Sequence, residues 1–207
     1  MFDFYEPCAM CRLFFAKIFK KTPLLQRFRI LLSVYIFLLS LLKIRFPMNH
    51  TIRKAQAEDM SAVLDLITEL AVFEKEPNAV QISVDTLITH GTGPNPLFTC
   101  FVAEDNGKIV GMALVYYRFS TWEGKSLHLE DLIISENYRG KGYGKALYNE
   151  VMRYAVSKGV NRVEWVVLDW NTPAINFYEN SGALLLKDWH LVQMNKERLQ
   201  KYIHSIS

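Results

Sequence analysis

Cysteine is scarce in this chain. Cys8, Cys11 and Cys100 are the three present among 207 residues, too few for the disulfide framework of a small secreted domain. Cys8-Ala9-Met10-Cys11 has CxxC spacing, but without a second pair or a nearby histidine it cannot complete a four-ligand zinc site by itself. The five histidines are scattered without ligand spacing, so no metal is expected. No apolar run reaches the roughly 18 residues of a membrane span, and there is no internal repeat. At 50% hydrophobic and 22% charged residues, the chain is not a disordered one. Its length fits one domain of ordinary size.

A dominant charge of one sign is also missing, and the net +3 is unevenly spread. Residues 1–47 carry +6 and the remainder −3. A mildly acidic body argues against nucleic acid as a partner and leaves room for a cationic ligand. The extension 1–47 mixes Phe and Ile with Lys and Arg, and residues 30–42 are almost wholly apolar. Thirteen residues of helix reach about 20 Å, short of a ~30 Å hydrocarbon core. Two readings stay open. The extension is a membrane-associating element, or it is upstream sequence attached by a misplaced start codon. Either way residues 48–207 read as a self-contained domain, and membrane contact is expected only if residues 1–47 belong to the native protein. A cleavable signal peptide fits poorly, because residues 43–47 lack the small side chains of a cleavage site.

From Met48 onward the pattern predicts a strand at His50–Lys54, then a helix opened by Glu58 and Asp59, with apolar residues at helical spacing from Met60 to Ala71. Ser83 is the expected cap of a short helix through His90, with Asp85 in its first turn. Strands are expected at 97–104 and 108–117, joined by Asn106-Gly107, a strong hairpin signal. Further strands are expected at 127–134, 162–168 and 184–194. Helices are expected after Gly144, from Thr172-Pro173 to Gly182, and over 196–203. Helices interspersed among sequence-adjacent strands give a mixed α/β sheet.

Arg139-Gly140-Lys141-Gly142-Tyr143-Gly144-Lys145 joins a strand to a helix. Backbone N–H groups at a helix start bind phosphate, and glycine lets an anion approach closely. The pattern is neither a dinucleotide fingerprint, whose sixth position would be Lys145 instead of glycine, nor a P-loop.

Arg139-x-x-Gly142-x-Gly144, preceded by Leu-His-Leu-Glu-Asp-Leu-Ile-Ile at 127–134 and followed by Asn171-x-x-Ala174-x-x-x-Tyr178, resembles the GNAT superfamily of acetyl-CoA-dependent N-acetyltransferases. Within it, the spermidine/spermine (diamine) and thialysine acetyltransferase group is most similar. The resemblance covers residues 51–203. It implies a mixed, mostly antiparallel central sheet flanked by helices, acetyl-CoA as co-substrate, a small amine as acceptor, a cytoplasmic enzyme and a homodimer.

It also implies roles. The segment from Arg139 through Gly140, Lys141, Gly142, Tyr143 and Gly144 to Lys145 would hold the pyrophosphate. Backbone of Leu132, Ile133 and Ile134 would hold the pantetheine arm, and Asn171, Pro173 and Ala174 would make the other cofactor contact. An alkylamine with pKa near 10.4 arrives protonated, so Glu130 would take its proton or hold its ammonium end. A phenol stays protonated at neutral pH, so Tyr178 would be available to protonate the departing thiolate. Glu74, Trp122 and Trp189 resemble acceptor-site residues. Asp131 would join Glu130 in one pocket only if the strand bulges, because neighbouring strand residues point to opposite faces.

One departure stands out. Where polyamine enzymes carry an acidic residue two positions before the tryptophan, this chain has Ser120, which favours a shorter amine or a lysine-like side chain such as thialysine. Cys100 sits in a strand of buried character and reads as inert. Two other functions remain open: a non-catalytic acetyl-CoA-binding module, tethered at a membrane by residues 1–47, and a protein-lysine acetyltransferase.

Overall fold

Asn106 and Gly107 both have positive φ, +50° and +81°, the tight reversal that the sequence predicts between two strands. That hairpin is the centre of the sheet. The computed structural model describes residues 50–206; the extension 1–47, with Cys8 and Cys11, lies outside the described residues. Five strands, β1 (His50–Lys54), β2 (Thr99–Asp105), β3 (Lys108–Ser120), β4 (Gly124–Ile134) and β5 (Arg162–Glu164), lie side by side in chain order. Neighbours are antiparallel except β4 and β5, which are parallel. The expected mixed, mostly antiparallel sheet flanked by helices is what forms.

Among the described residues five α-helices accompany the sheet: α1 (Met60–Phe73), α2 (Val84–Gly91), α3 (Tyr143–Ser157), α4 (Thr172–Asn180) and α5 (Lys196–Ile206). Alternation along the strands sends consecutive side chains to opposite faces. Phe101, Ala113, Val115, Leu127 and Leu129 pack on α3 through Leu147 and Val151. Val102, Met112, Leu114 and Ile133 pack on α1 and α2 through Met60, Val63 and Leu87. Burying each Leu or Val of these two layers contributes roughly 1.5–3 kcal/mol. Ser83 caps α2 as its sequence position predicts, its Oγ accepting from Thr86 N at 3.2 Å. Asp59 closes the turn before α1. It accepts from Arg53 at 2.6 and 2.9 Å and from Gln56 N at 2.7 Å, and these donors hold its carboxyl below the usual range.

Several of the expected strands differ. The hairpin arms run longer, to Ser120 and from Gly124, because their cross-strand partners continue into the turn. The strand expected over 162–168 stops at Glu164, and residues 184–194 form no strand. A strand exists only against a partner, and the edge that residues 184–194 would extend ends after three residues. Leu184, Leu186, Leu191, Val192 and Met194 are therefore exposed. Among the described residues no helix is long and apolar enough to cross a membrane.

Candidate active site

A single irregularity in the β3–β4 ladder builds the site. Leu114 pairs with Asp131 and Val115 with Leu129, so Glu130 is an extra residue without a partner. Before this bulge, Leu127 and Leu129 face α3. After it, Ile133 faces α1 and α2 while Leu132 and Ile134 pack on the α3 side. The bulge turns Glu130 and Asp131 to one face, where both line a cavity of about 420 Å³. Its other walls are largely apolar, from Ile67 of α1, Leu87 of α2, Phe98, Leu114 and the ring of Tyr116, with His90 also at its rim.

The cavity is a place for positive charge. Burial pushes the Asp131 carboxyl up to about 6, helped by the negative charges of Glu130 and Glu74. Glu74, just past the end of α1, is itself raised by burial. The expected acceptor-site carboxylates Glu74, Glu130 and Asp131 thus share one field. An ammonium group would relieve their mutual repulsion.

Two residues of the site were not singled out from the sequence. Tyr116 lines the cavity beside Glu130, and its phenol is raised by burial and by the nearby Glu130 carboxylate. His128 is buried, its ring centroid 5.1 Å from that of Tyr116 and its Nε2 3.5 Å from Glu130 Oε2. The period-two alternation of β4, which puts residues 128 and 130 on one face, was the available signal.

Cofactor-binding candidates lie along the continuation of β4. Strand β5 pairs only with Ser126, Leu127 and His128. Beyond them the β4 edge at Leu132, Ile133 and Ile134 pairs with β3 but carries no β5 ladder; on that free edge Ile134 O already accepts from Arg139 Nε. The edge leads to the glycine loop. Gly140 and Gly142 have φ of +75° and +88°, and Gly142 starts α3 without a side-chain cap. The first amides of α3 are left for an anion. A Cβ on Gly144 would lie 3.7 Å from Ile134 Cγ1, which shows how closely the helix start approaches β4.

The basic residues of the loop divide by role. Arg139 turns back, its Nε donating to Ile134 O at 3.1 Å and its guanidinium over the Phe73 ring at 5.3 Å; it ties the end of β4 down. Lys141 lies over Tyr138 at 4.7 Å, and Lys145 is exposed. Tyr143 is buried beneath Tyr138 in the α3 layer.

Asn171 caps α4, its Oδ1 accepting from Ala174 N at 3.3 Å, with Pro173 in the first turn. Tyr178, on the same helix, packs against Trp165 and Tyr148 at 5.0 and 5.9 Å between centroids. Burial pushes its phenol up to about 12.

Trp122 and Trp189 meet edge to face at 6.4 Å, are exposed, and do not line the cavity. Ser120 accepts from Trp122 N and Glu123 N at 3.2 Å each, so it holds the β3–β4 turn. Cys100 is buried, its thiol pushed up to about 12, which makes it a poor nucleophile. Among the described residues no group of three or more His, Cys, Asp or Glu side chains could hold a metal ion.

Comparison with known proteins adds to this geometry. The family model described as "Acetyltransferase (GNAT) family" matches residues 60–183. A pig (Sus scrofa) protein named thialysine N-epsilon-acetyltransferase is 35% identical over 161 residues, covering 72% of this chain and 95% of the relative. A human (Homo sapiens) protein named spermidine/spermine N(1)-acetyltransferase-like protein 1 is 37% identical over 158 residues, 72% of this chain. The match spans only 23% of that relative's length. Among solved structures, an integron cassette protein of V. cholerae superposes with a TM-score of 0.61 at 20% identity, over 75% of this chain and 98% of that one. That likeness concerns the fold alone.

Proposed function

This chain belongs to the acetyltransferase (GNAT) family, and from that premise we propose that it moves the acetyl group of acetyl-CoA to a primary amine of a small diamine, polyamine or lysine-like acceptor such as thialysine, by direct attack of the amine. The observation that carries the proposal is the bulge at Glu130, which gives an apolar-walled cavity two adjacent carboxylates. Apolar walls suit methylenes and the carboxylates suit an ammonium group.

When bound, acetyl-CoA supplies the activated acetyl thioester. The residues present fit it: an uncapped helix start at Gly142, with left-handed glycines before it, for the pyrophosphate, and an unpaired β4 edge for the pantetheine arm. Leu132, Ile133 and Ile134 act there through backbone. Gly140, Lys141, Gly142, Tyr143, Gly144 and Lys145 surround the helix start, with the two lysines adding positive charge. Arg139 secures the strand end, and Asn171, Pro173 and Ala174 shape the start of α4.

Glu130 takes a proton from the ammonium group, forming its O–H as the N–H breaks and freeing the lone pair that attacks. Asp131 and Glu74 add field that draws the cation in. Tyr178 carries its proton at neutral pH, as a general acid must when the thiolate leaves, while its burial beside Trp165 and Tyr148 makes it a weaker acid than a free phenol.

The reading includes a homodimer, supported by the apolar run of exposed side chains over residues 184–194 and on α5, and a cytoplasmic location. Residues 48–207 are the catalytic domain in this reading.

Tyr178→Phe tests the mechanism. It keeps the ring packed against Trp165 and removes only the hydroxyl. General acid catalysis typically contributes ~100- to 10,000-fold, so kcat is expected to fall at least about tenfold. Acetyl-CoA affinity by calorimetry should hardly change. A chemical step within twofold of wild type in single turnover would make Tyr178 a packing residue.

A further inference from the structure

A line of alternating charge crosses three strands and ends at the candidate base. Glu123, in the β3–β4 turn, lies 3.6 Å from Arg162, and Arg162 lies 2.9 Å from Glu164 on β5. Glu164 lies 2.7 Å from Arg118 on β3, and Arg118 Nη1 lies 3.3 Å from His128 Nδ1. His128 Nε2 is then 3.5 Å from Glu130 Oε2. The sequence offered no role for His128, and proton abstraction by Glu130 alone does not require it.

The chemistry of the line fixes the state of the imidazole. A guanidinium has five N–H donors and no acceptor. Toward Arg118, Nδ1 must therefore accept, and the ring proton of the neutral form sits on Nε2. Burial and the Arg118 charge both hold the ring below the usual histidine range, against the carboxylates Glu130 and Glu164. A neutral ring with Nε2–H directed at Glu130 can only donate there. Arg118 cannot shift to another partner without leaving Glu164, and the ring cannot swing freely because it packs on Tyr116.

We propose that His128 is a positioning residue for acetyl transfer, donating from Nε2 to Glu130 in the one tautomer that Arg118 permits. The bulge leaves Glu130 without a ladder partner, and its side chain is half exposed. A carboxylate in that setting has many rotamers. The Nε2–H on one side and the ring of Tyr116, which lines the same cavity, reduce them to the one that faces the cavity. The 3.5 Å separation is at the outer limit of a hydrogen bond. The imidazole does not carry the proton onward, because its other nitrogen already accepts from a permanent cation.

This inference rests on the reading of Glu130 as the base, and the experiment separates the two. In the full chain, His128→Gln, His128→Phe, Glu130→Gln and the double variant Glu130→Gln/His128→Phe are compared by kcat and both KM values with the best acceptor. Gln places an amide N–H near the position of Nε2; Phe keeps the ring on Tyr116 but donates nothing. The expected order is Gln within about threefold of wild type and Phe down about tenfold in kcat, with KM for acetyl-CoA unchanged. The double variant should be no slower than Glu130→Gln alone.

A packing role reverses the order, with Phe tolerated and Gln impaired, and that result would overturn the proposal while leaving the base in place. A Glu130→Gln enzyme of near-normal kcat would instead remove the base, and this inference with it. Histidine 15N shifts of the unmutated protein give an independent readout that does not depend on a variant folding. An Nε2–H signal for His128 is expected, and Nδ1–H would contradict the assignment.

Discussion

Glu130 and Asp131 are consecutive in the chain and line the same cavity. In a regular strand they would face opposite ways, and only the register shift between Leu114 and Val115 brings them together. Two carboxylates on one side of a strand repel each other and resist burial, so the arrangement costs stability that a bound cation restores. Sites of this kind are kept for what they bind.

Asp131 makes that cost measurable. Its carboxyl keeps a proton up to about pH 6 in the folded chain and up to about 4 when unfolded. Folding therefore takes up a proton between those values, and stability falls as pH rises through that window. Asp131→Asn should flatten the decline and raise stability at pH 7.5 by about 3 kcal/mol, with little change at pH 4. Urea unfolding at the two pH values checks it; an equal effect at both would contradict the burial of the charge.

Ser120 is expected to matter through the turn it holds. Ser120→Ala removes the acceptor for Trp122 N and Glu123 N and should cost about 1 kcal/mol, or about 3 °C in Tm. Ser120→Asp keeps an acceptor there and should melt close to wild type. A Tm for the Asp variant as low as that of Ala would show that the turn does not depend on this acceptor.

Gly142→Asp separates helix capping from anion binding. Aspartate tolerates left-handed backbone better than most residues, so α3 should persist, with Tm lowered by a few degrees for a side chain at φ of +88°. Its negative charge sits where the pyrophosphate is proposed to bind. The KM for acetyl-CoA should rise at least about tenfold while the amine KM stays level. An unchanged KM for acetyl-CoA would move the anion site elsewhere.

A protein that starts at Met48 should fold cooperatively and turn over like the full chain, because the described residues beyond it already form two packed layers on the sheet. Thermal melting and steady-state rates of the two proteins decide this. Loss of activity on truncation would make residues 1–47 part of the enzyme.

Local signals were the legible ones. Ser83 as a cap and Asn106-Gly107 as a hairpin depend on neighbours a few residues away, and both form as read. The Glu130 bulge depends on how β4 meets β3, a pairing between residues about 16 positions apart, so the sequence could state it only as a condition. Residues 184–194 read as a strand from their apolar content, but apolar content does not supply the partner that must complete a ladder. Histidines judged by metal spacing alone conceal His128, whose neighbours come from three strands. Trp122 and Trp189 do meet, but at the hairpin tip and not on the cavity wall.

The most direct test of the central claim is product identity across an acceptor panel. Purified full chain is mixed with acetyl-CoA and, separately, thialysine, lysine, a short diamine, spermidine, spermine and a lysine-containing peptide. Thiol release is followed together with the mass of each amine. The account expects thialysine or a short diamine to gain a single acetyl group, at a rate at least about tenfold above amine-free thioester loss, with spermine and the peptide behind. A protein that binds acetyl-CoA yet acetylates none of the small amines, or acetylates only the peptide, would contradict it.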